Sequence, residues 1–276
     1  MRITAAVVAL LVTSGASAEP MLFDNGRLFI PATINGIATE ALLDSGAETT
    51  VVDPKLASKA KLPEGQAIAI KGSGGRALAR LVEETEVEAL GVKLHPEAVV
   101  VTELSDISRR LVKRPLAMIL GREIFDSARL RVDIAGRAVD VVPKDGTPPG
   151  TKLPLTTHAG IESIPVTVNG KAAQAEFDLG NGSGVLISRA FANRLHLKRT
   201  GQRSGGGIGG KLTRDLIRID RIEVAGITFR DVEAAVDDQA NANDLNIGTS
   251  ILKNFLITTD FAARSVWLTS NRGERG

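Results

Sequence analysis

Cysteine and tyrosine are both absent from this 276-residue chain, and aromatic residues make up only 3% of it. A chain without cysteine has no disulfide framework. Its three histidines, His95, His158 and His196, are too dispersed for the paired spacing that is typical of a zinc site. We therefore predict neither a metal nor any other cofactor. The hydrophobic content of 43% is that of a globular protein, and the length is sufficient for two domains.

The chain also lacks an excess of one charge, because its 34 Lys and Arg residues are nearly balanced by 32 Asp and Glu residues. The two signs are interspersed along the sequence, which is typical of a solvated mixed surface. A basic patch for nucleic acid or for an anionic membrane is therefore not expected.

Long apolar runs are missing as well, and the segment from Ile3 to Val12 is too short to span a bilayer. It follows Met1-Arg2 and precedes Ala16-Ser17-Ala18, a small-x-small pattern that signal peptidase cleaves. We predict a signal peptide over residues 1–18, cleavage near Ala18, and export to a bacterial periplasm or the medium without a membrane anchor. A buried first strand is the alternative interpretation of the same run.

The chain does contain an internal repeat. Residues 30–53 and 164–187 share an Ile-Pro pair, an Asn-Gly pair and an apolar run that ends in Asp-x-Gly. Asp178 lies 134 positions after Asp44, and the other matching pairs keep the same spacing. Two carboxylates on equivalent turns of a pseudo-twofold fold can meet at the axis, so we expect these aspartates to form a site.

The repeat continues beyond the aspartates. Each half has a helix start, at Asp53-Pro54 and at Ser188, and each ends in a hairpin around an aspartate, Asp133 or Asp260. The last two aspartates are only 127 positions apart, so the second half has lost about seven residues. We therefore predict surface loops near residues 103–117 and 237–245.

Most segments are short, alternating and rich in Val, Ile and Thr, which favours strands. Asn35-Gly36 and Asn169-Gly170 are typical of two-residue hairpin turns, which need positive φ at both positions. We predict an all-β fold of two lobes related by a pseudo-twofold, with one or two short helices per lobe. The predicted boundaries are 19–142 for the N-terminal lobe, 143–154 for a Pro- and Gly-rich linker, and 155–276 for the C-terminal lobe.

The segment Ala-Leu-Leu-Asp-Ser-Gly-Ala-Glu-Thr-Thr-Val-Val at residues 41–52 resembles the signature of the retropepsin-like aspartic proteases. Their signature is an apolar run, then Asp, Ser or Thr, Gly and Ala. Ile119-Leu120-Gly121 resembles the family's second signature, which packs beneath the catalytic loop. Because the resemblance recurs in both halves, the chain is similar to a single-chain version, and the resemblance implies two tandem β-barrel lobes.

The resemblance implies an aspartic endopeptidase that hydrolyses peptide bonds in a cleft between the lobes. Asp44 and Asp178 would be the catalytic pair, since two adjacent carboxyls share one proton and can activate a water molecule. A peptide or protein would be the substrate. The implied supporting residues are Ser45, Gly46, Thr49, Gly121, Gly180, Ser183 and Gly248. The implied flap residues, which would close over the substrate, are Gly74, Gly75, Gly207 and Gly209, although these glycines also suit flexible surface loops.

The second half departs from the family pattern, because Leu179 replaces the hydroxyl residue that follows the first aspartate as Ser45. The absence of tyrosine also excludes a pepsin-type flap tyrosine. Asp178 could then be structural, and the chain could be a catalytically weak or inactive peptide-binding module of the same fold. A monomer is expected, although a homodimer that brings two Asp44 residues together stays open.

Overall fold

A computed structural model describes residues 19–271, so the predicted signal peptide lies outside the described residues. The terms first lobe and second lobe denote residues 19–142 and 155–271 below. None of the described helices has the length and apolar character that a bilayer crossing requires. The predicted architecture of tandem all-β lobes is confirmed.

The first lobe contributes thirteen strands within the described residues. They are β1 (Glu19–Pro20), β2 (Leu22–Asp24), β3 (Arg27–Ile34), β4 (Ile37–Leu43), β5 (Val51–Val52), β6 (Gln66–Gly72), β7 (Gly75–Val82), β8 (Val87–Ala89), β9 (Val92–Leu94), β10 (Val99–Val101), β11 (Met118–Leu120), β12 (Leu130–Asp133) and β13 (Ala138–Val141).

The remaining described strands are β14 (Thr151–Pro154), β15 (Thr156–His158), β16 (Ile161–Val168), β17 (Lys171–Phe177), β18 (Val185–Ser188), β19 (Arg199–Gly207), β20 (Gly210–Val224), β21 (Ile227–Asp237), β22 (Leu245–Ile247), β23 (Phe255–Asp260) and β24 (Ser265–Ser270). The helices are α1 (Pro54–Lys59), α2 (Ser105–Ile107), α3 (Glu123–Ser127), α4 (Arg189–Arg194) and α5 (Thr249–Leu252), and a π-helical turn, Ser108–Val112, continues α2.

The two lobes repeat one sheet motif. In the first lobe β4 pairs in parallel with β11 and β5 pairs in parallel with β10; in the second lobe β17 pairs with β22 and β18 pairs with β21 in the same way. Each aspartate of the predicted pair therefore follows a strand, β4 or β17, and these two strands have equivalent neighbours in their sheets. The pseudo-twofold inferred from the sequence repeat is thus a property of the backbone pairing.

A third sheet joins the lobes, with strand order β1-β13-β12-β23-β24-β14. Strands β12 and β23 pair directly, so one lobe's terminal hairpin continues into the other's. The last four residues of the predicted linker, 143–154, do not form a linker. Instead, Thr151–Pro154 forms β14 and pairs with β24. Pro154 can occupy this strand because β14 lies at the edge of the sheet.

The turn and cap signals in the sequence give the expected local structures. Asn35 and Gly36 have φ of 45° and 75°, and Asn169 and Gly170 have φ of 48° and 80°, as tight hairpin turns require. Asp53 accepts a hydrogen bond from the backbone N–H of Lys55 and caps α1. Short-range rules suffice here because each signal acts within a few residues.

The prediction of a surface loop near 103–117 is wrong. This segment forms α2 and the π-helical turn, and Leu104, Ile107, Val112 and Leu116 are buried. They join Phe29, Leu42, Val51, Val100 and Ile119 in an apolar cluster of the first lobe that is separate from the main core. The extra residues therefore form a packed helical cap, and the first lobe has one more helical segment than expected. The predicted loop near 237–245 is an irregular segment over residues 238–244.

A buried ion pair fixes the lobes at the joining sheet. The Nε of Arg129, beside β12, donates to Oδ2 of Asp260 on β23 at 3.0 Å, and both side chains are less than a tenth exposed. Arg129 also donates to the carbonyl of Pro143 at 3.0 Å. The pair is therefore fully hydrogen-bonded on the guanidinium side, as a buried charge requires.

Replacing Arg129 with Met is expected to lower the free energy of unfolding by about 3–5 kcal/mol, because Asp260 is left as an unpaired buried charge. Adding Asp260→Asn should restore much of this loss. Urea denaturation measures both effects. Arg218→Met is the matched control, since Arg218 pairs with Asp231 at 2.9 Å and the two side chains are 48% and 74% exposed. An equal effect of the two Arg→Met changes would contradict the role of the Arg129 pair.

Candidate active site

Asp44 and Asp178 lie at equivalent ends of β4 and β17, where the lobes meet. The backbone N–H of Asp44 donates to Leu120 O at 3.0 Å, and that of Asp178 donates to Ile247 O at 3.1 Å. The two carboxyl groups are neighbours across the lobe boundary, and the charge of Asp178 acts on Asp44. The structure thus brings together within one chain the two residues that the sequence repeat singled out.

Glycines allow this close approach. A Cβ on Gly46 would lie 2.8 Å from Cγ of Asp178, and a Cβ on Gly180 would overlap the carboxyl group of Asp44. Each glycine therefore stands beside the aspartate of the opposite lobe. Any larger residue at either position would separate the carboxyls.

Each carboxylate accepts a backbone hydrogen bond from its own loop. Gly46 N donates to Oδ1 of Asp44 at 2.9 Å, and Asn181 N donates to Oδ1 of Asp178 at 2.9 Å. Asp178 has one more donor, because Nδ2 of Asn246 lies 2.7 Å from its Oδ2. The pair is therefore asymmetric, and the side-chain donor favours the ionised form of Asp178.

Burial and the neighbouring carboxyl have a clear electrostatic consequence. Removal from bulk water, together with the charge of Asp178, raises the pKa of Asp44 to about 8. Burial also raises the pKa of Asp178, while the Asn246 amide and backbone N–H groups oppose that rise. The ionisation of both neighbouring carboxyl groups would cost much free energy, so the pair holds one proton near neutral pH. Asp44, whose pKa is raised to about 8, holds that proton.

Ser45 connects the lobes beneath the aspartates. Its hydroxyl donates to Phe177 O at 2.8 Å and accepts from Leu179 N at 3.0 Å, so one side chain satisfies two buried backbone groups of the opposite loop. The side chain of Leu179, the counterpart of Ser45, has no group that could form the equivalent hydrogen bond to the first loop. It is fully buried in the main core. Apolar packing anchors the second loop where a hydroxyl group would be expected.

The other predicted supporting residues hold the two loops from below. Gly121 packs against the backbone of Thr49, and Gly248 packs against Asn181, so the second-signature glycine contacts the aspartate loop in both lobes. Thr49 donates to Glu123 at 2.8 Å. Ser183, its counterpart, instead accepts from Nη2 of Arg27 at 3.2 Å across the lobe boundary.

Arg27 is a buried cation near the aspartate pair. It is 7% exposed, and its Nη1 donates to the carbonyls of Asn25 and Leu111 at 3.0 and 3.1 Å. Burial lowers its pKa, while its attraction to Asp44 and Asp178 opposes that change. Arg27 thereby offsets part of the cost of holding negative charge at the site.

A cleft of about 560 Å³ runs between the lobes and contains both aspartates. The β6–β7 and β19–β20 hairpins, which carry the predicted flap glycines, meet tip to tip and form its roof; of these glycines, Gly207 lines the cleft. Gly74 N donates to Ile208 O at 2.9 Å, and a Cβ on Gly74 would overlap the backbone of Gly210. Gly75 and Gly209 are in similar contact. The roof is therefore closed by backbone against backbone.

Two arginines fasten these hairpins. Arg110, on the π-helical turn of the first lobe, donates to the carbonyls of Gly205, Gly207 and Gly210, each at 3.1 Å. Arg214, at the base of the second hairpin, donates to Ser73 O of the first at 3.1 Å. Each lobe thus holds the hairpin of the other.

Sequence reasoning missed Asn246, Arg27 and Arg110 as members of this site. Asn246 stands where the first half has Ile119, and this polar residue in an apolar signature was the available signal. Arg27 lies 17 residues before Asp44, and no local pattern relates them. Arg110 belongs to the segment that was predicted to be a loop.

The comparisons agree with the repeat and the geometry. A family model described as aspartyl protease matches the chain twice, over residues 30–124 and 164–251. Each match contains one aspartate of the pair and one glycine of the second signature. A search of curated proteins gives no match.

Asp44→Asn is expected to stabilise the protein at neutral pH. Because the folded-state pKa of Asp44 is about 8 and an ordinary Asp has 3.8, folding becomes less favourable as pH rises from 4 to 8. Asn cannot ionise, so the variant should exceed the wild type by about 2 kcal/mol in free energy of unfolding at pH 8 and gain little below pH 4. Urea denaturation across this pH range measures the difference.

The exposed Asp231→Asn change is the control for Asp44→Asn, and it should show no such pH dependence. A gain for Asp44→Asn that stays constant from pH 4 to 8 would contradict the proposed sharing of one proton.

Arg110→Gln should loosen the second hairpin, because three carbonyls lose a charged donor. We expect amide hydrogen exchange over residues 204–212 to accelerate about tenfold. Arg109→Gln is the matched control, since Arg109 is an exposed neighbour on the same turn. Unchanged exchange in the Arg110 variant would show that the hairpin tips alone keep the roof closed.

Proposed function

Since the chain belongs to the aspartyl protease family, with two regions matched in one polypeptide, we propose that it is an endopeptidase whose catalytic residues are Asp44 and Asp178. The observation that carries the proposal is that these two carboxyls lie side by side in one cleft, each against the glycine of the opposite loop. Protease family membership also implies a peptide substrate. The neighbouring carboxyls supply the singly protonated pair that peptide hydrolysis by water needs.

We assign the two roles from the asymmetry of the site. Asp178, ionised beside Asn246, takes a proton from a water molecule bound between the carboxyls as the water oxygen attacks the scissile carbonyl carbon. Asp44 gives its proton to the carbonyl oxygen, which yields a neutral tetrahedral intermediate. The C–N bond then breaks as the proton on Asp178 passes to the leaving nitrogen and a hydroxyl proton of the intermediate returns to Asp44.

The departure at Leu179 is compatible with this function. Ser45 alone supplies both hydrogen bonds between the loops, and the burial of Leu179 fixes the second loop by packing. The aspartates remain neighbours under this one-sided support. We therefore favour catalysis over the inactive peptide-binding module.

Substrate access requires the roof to open. The hairpin tips contact one another directly, so a peptide chain has to displace these backbone contacts before it reaches the aspartates. Such closure excludes bulk water from the reacting groups once the peptide is bound.

Asp44→Asn and Asp178→Asn should each lower kcat by about 10³-fold, because either change removes one acid–base partner. Cleavage of a diverse peptide pool, followed by mass spectrometry, provides the measurement. Asp231→Asn serves as the control for folding and charge. Full activity of the Asp44 variant at every pH would refute the paired-carboxyl mechanism.

The pH profile gives a second check on the same pair. Activity should fall as pH rises through about 8, where Asp44 loses its proton, and should also fall in acid as Asp178 becomes protonated. Because burial raises the pKa of Asp178, the acid limb is expected above the ordinary value of 3.8. A wild-type protein that binds extended peptides yet leaves them intact from about pH 3 to 8 would support the peptide-binding alternative.

A further inference from the structure

The positions two residues before the aspartates differ between the lobes. Side chains alternate along a strand, so Leu42 shares a face with Asp44 and Glu176 shares a face with Asp178. Both residues line the cleft. In the parallel ladders Leu42 is paired with Ile119, and Glu176 is paired with Asn246. Equivalent places beside the two carboxyls thus hold an apolar pair and a polar, acidic pair.

The difference extends across each sheet. Ile119 is next to Val51 and then Val100 in the first lobe, whereas Asn246 is next to Leu186 and then Ala235 in the second. All of these residues line the cleft. The cleft therefore has two walls, which are made of structurally equivalent positions and can be compared residue by residue. The first wall is Leu42, Ile119, Val51 and Val100, and the second wall is Glu176, Asn246, Leu186 and Ala235.

The first wall is apolar throughout. Its four residues are all buried to below a tenth of their surface and belong to the separate apolar cluster of the first lobe. Leu111 and Ile208 pack against the same cluster. A side chain that enters from the cleft here meets only aliphatic carbon, so this wall suits an aliphatic or aromatic residue.

The second wall contains a carboxylate without a cationic partner. Oε2 of Glu176 accepts from Nδ2 of Asn246 at 3.0 Å, while its other oxygen accepts no hydrogen bond from residues 19–271. Within the same residues no Lys, Arg or His forms an ion pair with Glu176. The charged groups that act on it are Asp178, His158 and Asp237, and burial is the main cause of its raised pKa.

The cations that line the cleft have partners of their own. Arg214 pairs with Asp237 at 3.0 Å, and Arg203 pairs with Glu233 at 3.4 Å. Lys71 donates to Asn241 at 2.9 Å, and Arg27 donates to carbonyls. Glu48 also lines the cleft, but it is exposed and therefore screened by solvent. Glu176 is thus a half-buried carboxylate of the second wall that has no ion-pair partner among residues 19–271.

We propose that the protein cleaves peptides between an apolar residue, seated on the first wall, and a lysine or arginine, whose cation pairs with Glu176 on the second wall. This inference rests on the proposed endopeptidase function and names its substrate class. Asn246 would hold Glu176 in place, because its amide group bridges the carboxylates of Glu176 and Asp178. A cation supplies the partner that a half-buried carboxylate needs, whereas an acidic side chain would be repelled by Glu176 and Asp178.

Matched peptides test the proposal. Peptides with central Leu-Lys or Lys-Leu are compared with the same peptides in which norleucine replaces lysine, which keeps the chain length and removes the charge. We expect kcat/KM to be about tenfold higher for the lysine peptide in one of the two orders, which corresponds to about 1.4 kcal/mol. Glu176→Gln should abolish this preference, and Glu223→Gln, the same charge change at a partly exposed position that is not among the residues lining the cleft, should keep it.

A second variant guards against a folding defect. Glu176→Leu copies the first lobe and should shift the preference to the norleucine peptide, so a gain of function on one substrate accompanies the loss on the other. Equal cleavage of lysine and norleucine peptides by the wild type, or a lysine preference that survives in both Glu176 variants, would overturn the inference.

Binding separates the inference from the proposed function. Fluorescence anisotropy with the Asp44→Asn variant reports affinity for the same labelled peptides without cleavage. If the wild type cuts no peptide but the variant still binds lysine peptides about tenfold more tightly, the endopeptidase proposal fails and the cation site stands. If peptides are cut but neither assay favours lysine, the cation site fails and the endopeptidase proposal stands.

Discussion

Two neighbouring acidic side chains within one cleft impose the main physical demand on this protein. Burial and mutual repulsion oppose their ionisation, and the structure answers with donors: backbone N–H groups from each loop, the amide of Asn246, and the nearby guanidinium of Arg27. The repulsion that remains between the two carboxyl groups is relieved because they share one proton. Much of the surrounding architecture can be understood as the means of holding this unfavourable pair together.

The restraint comes from connections between the lobes at three levels. The joining sheet and the buried Arg129–Asp260 pair fix the lobes at a distance from the cleft, and Ser45 fixes the aspartate loops directly beneath it. Above the cleft, Arg110 and Arg214 tie each hairpin to the other lobe. The site is therefore enclosed on its floor and roof by contacts that cross the pseudo-twofold axis.

The sequence predicted what depends on short-range signals and on repetition. Asn-Gly turns and the Asp53 cap act within a few residues, and the repeat related Asp44 to Asp178 without any structure. The helical cap at 105–112 was not predicted, because its apolar residues are explained only by their packing in the apolar cluster of the first wall. The pairing of Glu176 with Asn246 escaped for a similar reason, since the parallel ladder joins residues 70 positions apart. Long-range pairing of this kind leaves no local pattern.

The presence of both lobes in one chain has an evolutionary consequence. In an assembly of two identical chains, a substitution near the symmetry axis changes both sides of the site at once. Here one polypeptide carries both lobes, so position 176 can carry a carboxylate while the equivalent position 42 carries a leucine. A single chain thereby frees the two halves from having to mutate in step, and each wall of the cleft is open to selection separately.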